Sequence, residues 1–165
     1  MARYINILKQ ADIFYGLTPT QLELVAGICQ EKIYSAGDII LPEGAASDEL
    51  YLIFQGEVEI LINPGLISAD EDGRRSPVVV SRLGRGQSFG EIALVDRGLR
   101  SATVRAAQNH TSLLMLPRDG LVSLCEAYPQ LGYRLMYNLA ADLALKVRLV
   151  DLRTREGWLY RPTGD

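Results

Sequence analysis

Residues 31–116 read as a succession of short β-like runs broken by glycine, and no other feature restricts the fold as strongly. The runs fall at 31–34, 39–41, 49–55, 57–63, 78–82, 102–106 and 112–116, and Gln55-Gly56-Glu57 forms a hairpin-tight junction between two of them. Many short strands joined by Gly-rich turns indicate a small antiparallel barrel or roll. At 165 residues the chain can bury one good core but is too short for two ordinary domains, so any function has to sit on a single fold.

Helical signals bracket the strands. Thr18-Pro19-Thr20-Gln21 opens a helix over 19–29: Thr18 can cap, Pro19 suits the first helical position, and Gln21 can reach back as a capping-box partner. After the last strand, Asp119 is placed to cap a short helix ending near Tyr128. Pro129 then opens a longer one reaching about Arg155, about 40 Å at 1.5 Å per residue. Leu135, Leu139, Leu143, Val147 and Val150 form one apolar stripe along it. Leu145, Leu149 and Leu152 form another, turned by roughly 200° at 100° per residue. A helix lying on one small roll needs only one stripe. The second points either to a partner, most economically the same helix in a second copy, or to Trp158 and Tyr160 of the tail folding back over it.

The bulk numbers exclude several classes of function. With 48% hydrophobic and 22% charged residues the chain is neither disordered nor fibrous. A net charge of −3 argues against a dominant electrostatic footprint for nucleic acid or an anionic membrane, so a negative ligand has to be met by a few placed cations. Lys146, Arg148, Arg153 and Arg155 alternate with Asp142, Asp151 and Glu156 and read as a solvated helix face. Cys29 and Cys125 belong to no C-x-x-C or secretory framework and read as buried reduced thiols, which fits a cytoplasmic setting. The first ten residues lack the apolar core of a signal peptide, and no stretch approaches the roughly 18 apolar residues of a membrane span.

Catalytic and metal chemistry find little support. Residues 63–77, with Asn63-Pro64-Gly65 and the acidic trio Asp70-Glu71-Asp72, read as a long exposed loop whose spacing matches no EF-hand. His110 lies in a turn-like stretch, and one histidine with two distant cysteines cannot make a usual zinc set. No G-x-S-x-G elbow is present. The expectation is a binding protein with no enzymatic activity, no metal and no cofactor.

The chemistry concentrates in 89–104. Gly90 permits close backbone approach, and the N–H groups after it, at a helix start, can cradle an anion. Arg100 can offer two parallel donors to phosphate oxygens, whereas Glu91 would repel phosphate and serves better as an acceptor for ligand hydroxyls. The ligand implied carries an anion and a vicinal hydroxyl. The bland alternative is a salt bridge between the two on a barrel rim.

This cluster resembles the phosphate-binding cassette of the cyclic nucleotide-binding domain family. Phe89-Gly90-Glu91, Ala93-Leu94, Arg100-Ser101-Ala102 and Val104 stand at the cassette's spacing. Ala36-Gly37-Asp38-Ile39-Ile40, Glu43-Gly44, Asp48-Glu49-Leu50-Tyr51 and Gly56 resemble the family upstream, and the likeness runs over roughly 13–150. It implies a mainly β fold, an antiparallel β-roll of the jelly-roll or double-stranded β-helix type, with N-terminal helices and a long C-terminal helix. As one domain over 1–165, the chain would divide into N-terminal helices at 1–30, the roll at 31–117 with the cassette at 89–104, C-terminal helices at 118–155 and a tail at 156–165.

By the same resemblance, Arg100 pairs with the exocyclic oxygens of a cyclic phosphate and Glu91 binds the ribose 2′-hydroxyl. Gly90, Ile92 and Ala93 lend backbone and Ser101 its hydroxyl, while Val80, Ser81 and Leu83 lie against the base. Two positions depart from relatives. Leu99 stands where kinase-type members often have proline, and Lys146-Val147 stand where the catabolite activator has a Thr-Ser pair meeting the adenine. The ligand expected is cAMP ahead of cGMP, with the base choice open because Ser101 accompanies either. Catabolite activator relatives continue into a helix-turn-helix domain, for which a chain ending at Asp165 leaves no room. Partners expected are a second copy through the C-terminal helix and an effector protein. A second reading keeps the fold for dimerisation or docking and loses the ligand.

Overall fold

The computed structural model describes residues 1–63 and 76–159, without the side chains of 154 and 156–159. The Asp70-Glu71-Asp72 trio, the Trp158 side chain and Tyr160 lie outside the described residues.

Helix α1 (Ala2–Gln10), a 3-10 turn at Asp12–Phe14 and helix α2 (Pro19–Ile28) precede the strands. The capping box expected at α2 is formed: the Gln21 backbone N–H donates to Thr18 Oγ1 at 3.3 Å, and the Thr18 N–H donates to Gln21 Oε1 at 2.9 Å. At the end of α2 the Cys29 thiol donates to the Val25 carbonyl, and burial pushes its pKa up to about 12, so it is protonated at neutral pH.

The strands are β1 (Gln30–Tyr34), β2 (Ile39–Leu41), β3 (Leu50–Gln55), β4 (Glu57–Ile62), β5 (Val78–Gly84), β6 (Ser88–Phe89), β7 (Thr103–Ala106) and β8 (Thr111–Leu116). They pair antiparallel in two four-stranded sheets ordered β1-β8-β3-β6 and β2-β7-β4-β5. This is the β-roll expected, with β6 an addition that two residues were too few to announce.

The sheet built on β3 and β8 has apolar neighbours on both faces. Leu50, Leu52, Leu114 and Leu116 pack toward the helices with Ile7, Leu8 and Phe14, while Tyr51, Ile53 and Leu113 turn into the roll with Val58, Phe89 and Val104. Two-sided burial is why β3 reads Leu-Tyr-Leu-Ile-Phe without polar alternation. Each such side chain taken fully out of water stabilises the fold by roughly 1.5–3 kcal/mol before entropy is counted.

Helix α3 (Glu91–Asp96) follows β6, and α4 (Arg118–Ala127) and α5 (Pro129–Leu159) complete the chain. Pro117, not Asp119, is the N-cap of α4; Asp119 is the second residue of the helix, in the first turn, where a carboxylate is favoured by the helix dipole. The core side of α5 buries Leu131, Leu135 and Leu139, with Leu143 packed beside them. Asn138 Nδ2 donates to the Ile13 and Tyr15 carbonyls at 3.1 and 2.8 Å, which pins α5 onto the 3-10 turn. The stripe expected to stay on the core ends there, since Val147 and Val150 are each 60% exposed. Beyond Leu143 the helix overhangs a cavity instead. No helix among the described residues is long and apolar enough to cross a membrane.

Candidate ligand-binding site

The chain enters the site along β6. Phe89 pairs with Tyr51 across the sheet, and their rings stack with centroids 5.1 Å apart and planes 4° from parallel. Burial, with the Glu49 carboxylate nearby, pushes the Tyr51 phenol up to about 12, so this prop is uncharged. Gly90 then turns left-handed at φ +85° and starts α3 with no side-chain cap. The first-turn N–H groups of α3 are thereby left as donors for an anion.

Arg100 is 6% exposed and held from several directions. Its Nε donates to Ser47 Oγ at 2.8 Å, Nη1 to the Gly90 carbonyl at 3.2 Å, and Nη2 to the Glu49 carbonyl at 2.8 Å, with Glu49 Oε2 at 3.4 Å. Its backbone is clamped as well: the Gly44 N–H donates to the Arg100 carbonyl at 2.8 Å, and the Arg100 N–H donates to the Ala45 carbonyl at 3.0 Å. These contacts occupy all three guanidinium nitrogens, with Nη2 shared between the Glu49 carbonyl and carboxylate. The guanidinium is fixed beside the start of α3, where a phosphate would compete with the Glu49 side chain for its outer donors.

Gly90, Glu91, Ile92, Ala93, Arg100 and Ser101 line one cavity of about 540 Å³. Ser81 and Leu83 line it from the roll, and Leu145, Lys146 and Leu149 from α5. Of the residues anticipated from the sequence, Val80 is absent from this lining. The pairing of β5 with β4 shifts register between Ile60–Ser81 and Leu61–Val79, so Val80 is the residue passed over, and it stands 43% exposed. Leu145 and Leu149, read from the sequence as needing a partner or a folded-back tail, have the cavity to face.

The sequence also misplaced Lys146. Part-exposed as it is, its Nζ reaches inward and donates to Glu91 Oε1 and, at 2.8 Å, to Asp142 Oδ2 one turn earlier. Burial alone would lower the lysine pKa, but the Glu91 carboxylate and the bonds to Asp142 and Glu91 outweigh it, leaving the ammonium above its usual value. Glu91 itself is 5% exposed. Arg100 and Glu91 therefore do not form the rim salt bridge of the bland reading; each has other partners. Ser47, Glu49 and Asp142 also went unremarked as site residues, although Glu49 lies within the quoted Asp48-Glu49-Leu50-Tyr51 motif.

The cavity thus offers a fixed cation and helix-start amides at one end, a buried carboxylate, and apolar walls between roll and helix. Comparison with known proteins places the chain in a family. The chain is 32% identical over 145 residues to the cyclic AMP receptor protein of Thermus thermophilus, covering 88% of this chain and 61% of that one. It is 32% identical over 103 residues to the cAMP-dependent protein kinase regulatory subunit of Schizosaccharomyces pombe, covering 62% and 22%. Among solved structures, the Thermus thermophilus catabolite activator protein superposes with a TM-score of 0.71 at 31% identity, covering 88% of this chain and 62% of that one. The regulatory domain of Toxoplasma gondii PKA, co-crystallised with cAMP, superposes with a TM-score of 0.60 at 28% identity, covering 74% and 43%. This chain spans less than two thirds of the length of these relatives. The sequence profile of the cyclic nucleotide-binding domain matches residues 31–128, more than half of the chain, which therefore belongs to the cyclic nucleotide-binding domain family.

Proposed function

We propose that the cavity binds a cyclic purine nucleotide, cAMP ahead of cGMP, and that the chain is a non-enzymatic regulatory domain whose ligand state is passed on through α5. The observation that carries this reading is a buried, in-plane Arg100 sharing a cavity with a buried Glu91. A cyclic phosphodiester has a single negative charge, which one buried guanidinium with helix-start amides can answer. Glu91, an acceptor only, suits the ribose hydroxyl, and Leu83, Leu145 and Leu149 suit the base. The preference for cAMP rests on relatives: a cyclic AMP receptor protein matches at 32% identity, cGMP-dependent protein kinases at 25–30% over smaller shares of the chain.

Saturating cAMP is expected to raise the melting temperature, because a ligand at 100 times its Kd stabilises the native state by about 2.7 kcal/mol. Unchanged melting with cAMP and with cGMP favours the second reading, a ligand-free module for dimerisation or docking. That reading draws on Val147 and Leu152 of α5, exposed at 60% and 54%, which also suit pairing with a second copy.

A further inference from the structure

We propose that Lys146 is a latch on the pocket, holding α5 against α3 through Glu91 until a ligand hydroxyl takes its place. The inference rests on the reading of the cavity as a nucleotide site. Glu91 is the first residue of α3 and nearly out of solvent, and a carboxylate in that position needs a donor. That donor is the Lys146 ammonium, which comes from α5, 55 residues along the chain. Lys146 also keeps a second carboxylate, Asp142, on its own helix and is 41% exposed along its side chain. It can therefore release Glu91 and remain paired and hydrated, whereas Glu91 cannot release Lys146 without another donor. The exchange is one-sided, and a ligand hydroxyl is the partner that completes it. Breaking this cross-link frees the stretch of α5 that carries Leu145 and Leu149 at the cavity mouth to settle against whatever occupies it.

The latch makes a prediction about discrimination that a merely structural ion pair does not. A ligand with a 2′-hydroxyl must displace Lys146, while its 2′-deoxy analogue leaves the pair intact. Removing the lysine should therefore favour the first relative to the second, whatever it does to both in common. Calorimetric titration of cAMP and 2′-deoxy-cAMP into wild type, Lys146→Met and Lys146→Arg reads this directly, with thermal melts confirming that each variant folds. The ratio of the two dissociation constants is expected to widen roughly fivefold or more in Lys146→Met, in favour of cAMP, and to return toward wild type in Lys146→Arg. A ratio that stays constant or narrows in Lys146→Met means that lysine and hydroxyl share Glu91, and overturns the latch. A wild type that binds neither nucleotide overturns the reading of the cavity beneath it, an outcome distinct from binding with an unaltered ratio.

Discussion

Gly90 does two things that another residue could not do together. Its φ of +85° is costly for a side chain, and a Cβ there would lie 2.8 Å from the Glu49 carbonyl oxygen and 2.9 Å from Arg100 Nη1. The atoms it would strike are the ones that hold the guanidinium in plane, so the cassette's glycine serves Arg100 as much as it serves the turn. Gly90→Ala is expected to destabilise the fold by about 1–3 kcal/mol and to weaken cyclic nucleotide binding more than the loss of stability accounts for. Urea denaturation beside calorimetry checks both; a variant of wild-type stability and affinity would show that neither the conformation nor the close approach matters.

Among the elements, the β3–β4 hairpin and the α1–β1–β8 corner carry tests of their own. Gly56, between β3 and β4, has φ +87°, and a Cβ on it would meet the Thr111 Cα of β8 at 2.9 Å. That contact is with backbone and cannot yield, so Gly56→Ala should cost about 2 kcal/mol or more in urea denaturation, and a loss below 0.5 kcal/mol would show that the hairpin shifts freely. At the corner, Glu31 of β1 accepts from Ser112 Oγ at 2.7 Å, Arg3 Nη2 at 3.0 Å and the Tyr4 hydroxyl at 3.1 Å. The Ser112 bond, then Tyr4 and Arg3, outweigh desolvation and hold the carboxyl below its ordinary 4.5. A folded pKa below the unfolded one adds stability above pH 4.5 that is lost as pH falls through the lowered value. Glu31→Gln should therefore lower the melting temperature at pH 7 and converge on wild type as pH drops below the carboxylate range. Parallel curves would assign Glu31 no part in acid stability.

These elements also show what a sequence can disclose. Apart from β6 and the bounds of α1, strands and the longer helices were legible to within a few residues because apolar periodicity, Gly56 and the Thr18–Gln21 box are local signals. The cassette was legible as a motif. The register shift that passes over Val80 was not, since a bulge depends on how two strands meet. Lys146 was legible only in part: resemblance put it where relatives meet the base, but its pairing with Glu91, 55 residues away, depends on how α5 packs over the cavity. The carbonyl props of Arg100 are backbone atoms, on which side-chain identity is silent.

Across the molecule, α5 links the parts. Its first half is sealed to the helix-side core by Leu131, Leu135 and Leu139 and pinned by Asn138, while its second half overhangs the cavity through Leu145, Lys146 and Leu149. Anchored at one end and lining the cavity at the other, α5 is the element through which the proposed function would pass occupancy on, because a ligand biases whichever placement of the helix it binds better. All of this depends on the cavity holding a cyclic nucleotide through Arg100. The most direct measurement is calorimetric titration of cAMP and cGMP into nucleotide-stripped wild type and Arg100→Ala. Saturable binding to wild type, with cAMP preferred, and at least a hundredfold loss in the variant, about 2.7 kcal/mol, is the expected result. Equal binding by a folded Arg100→Ala, or no binding of either nucleotide to wild type, would contradict it.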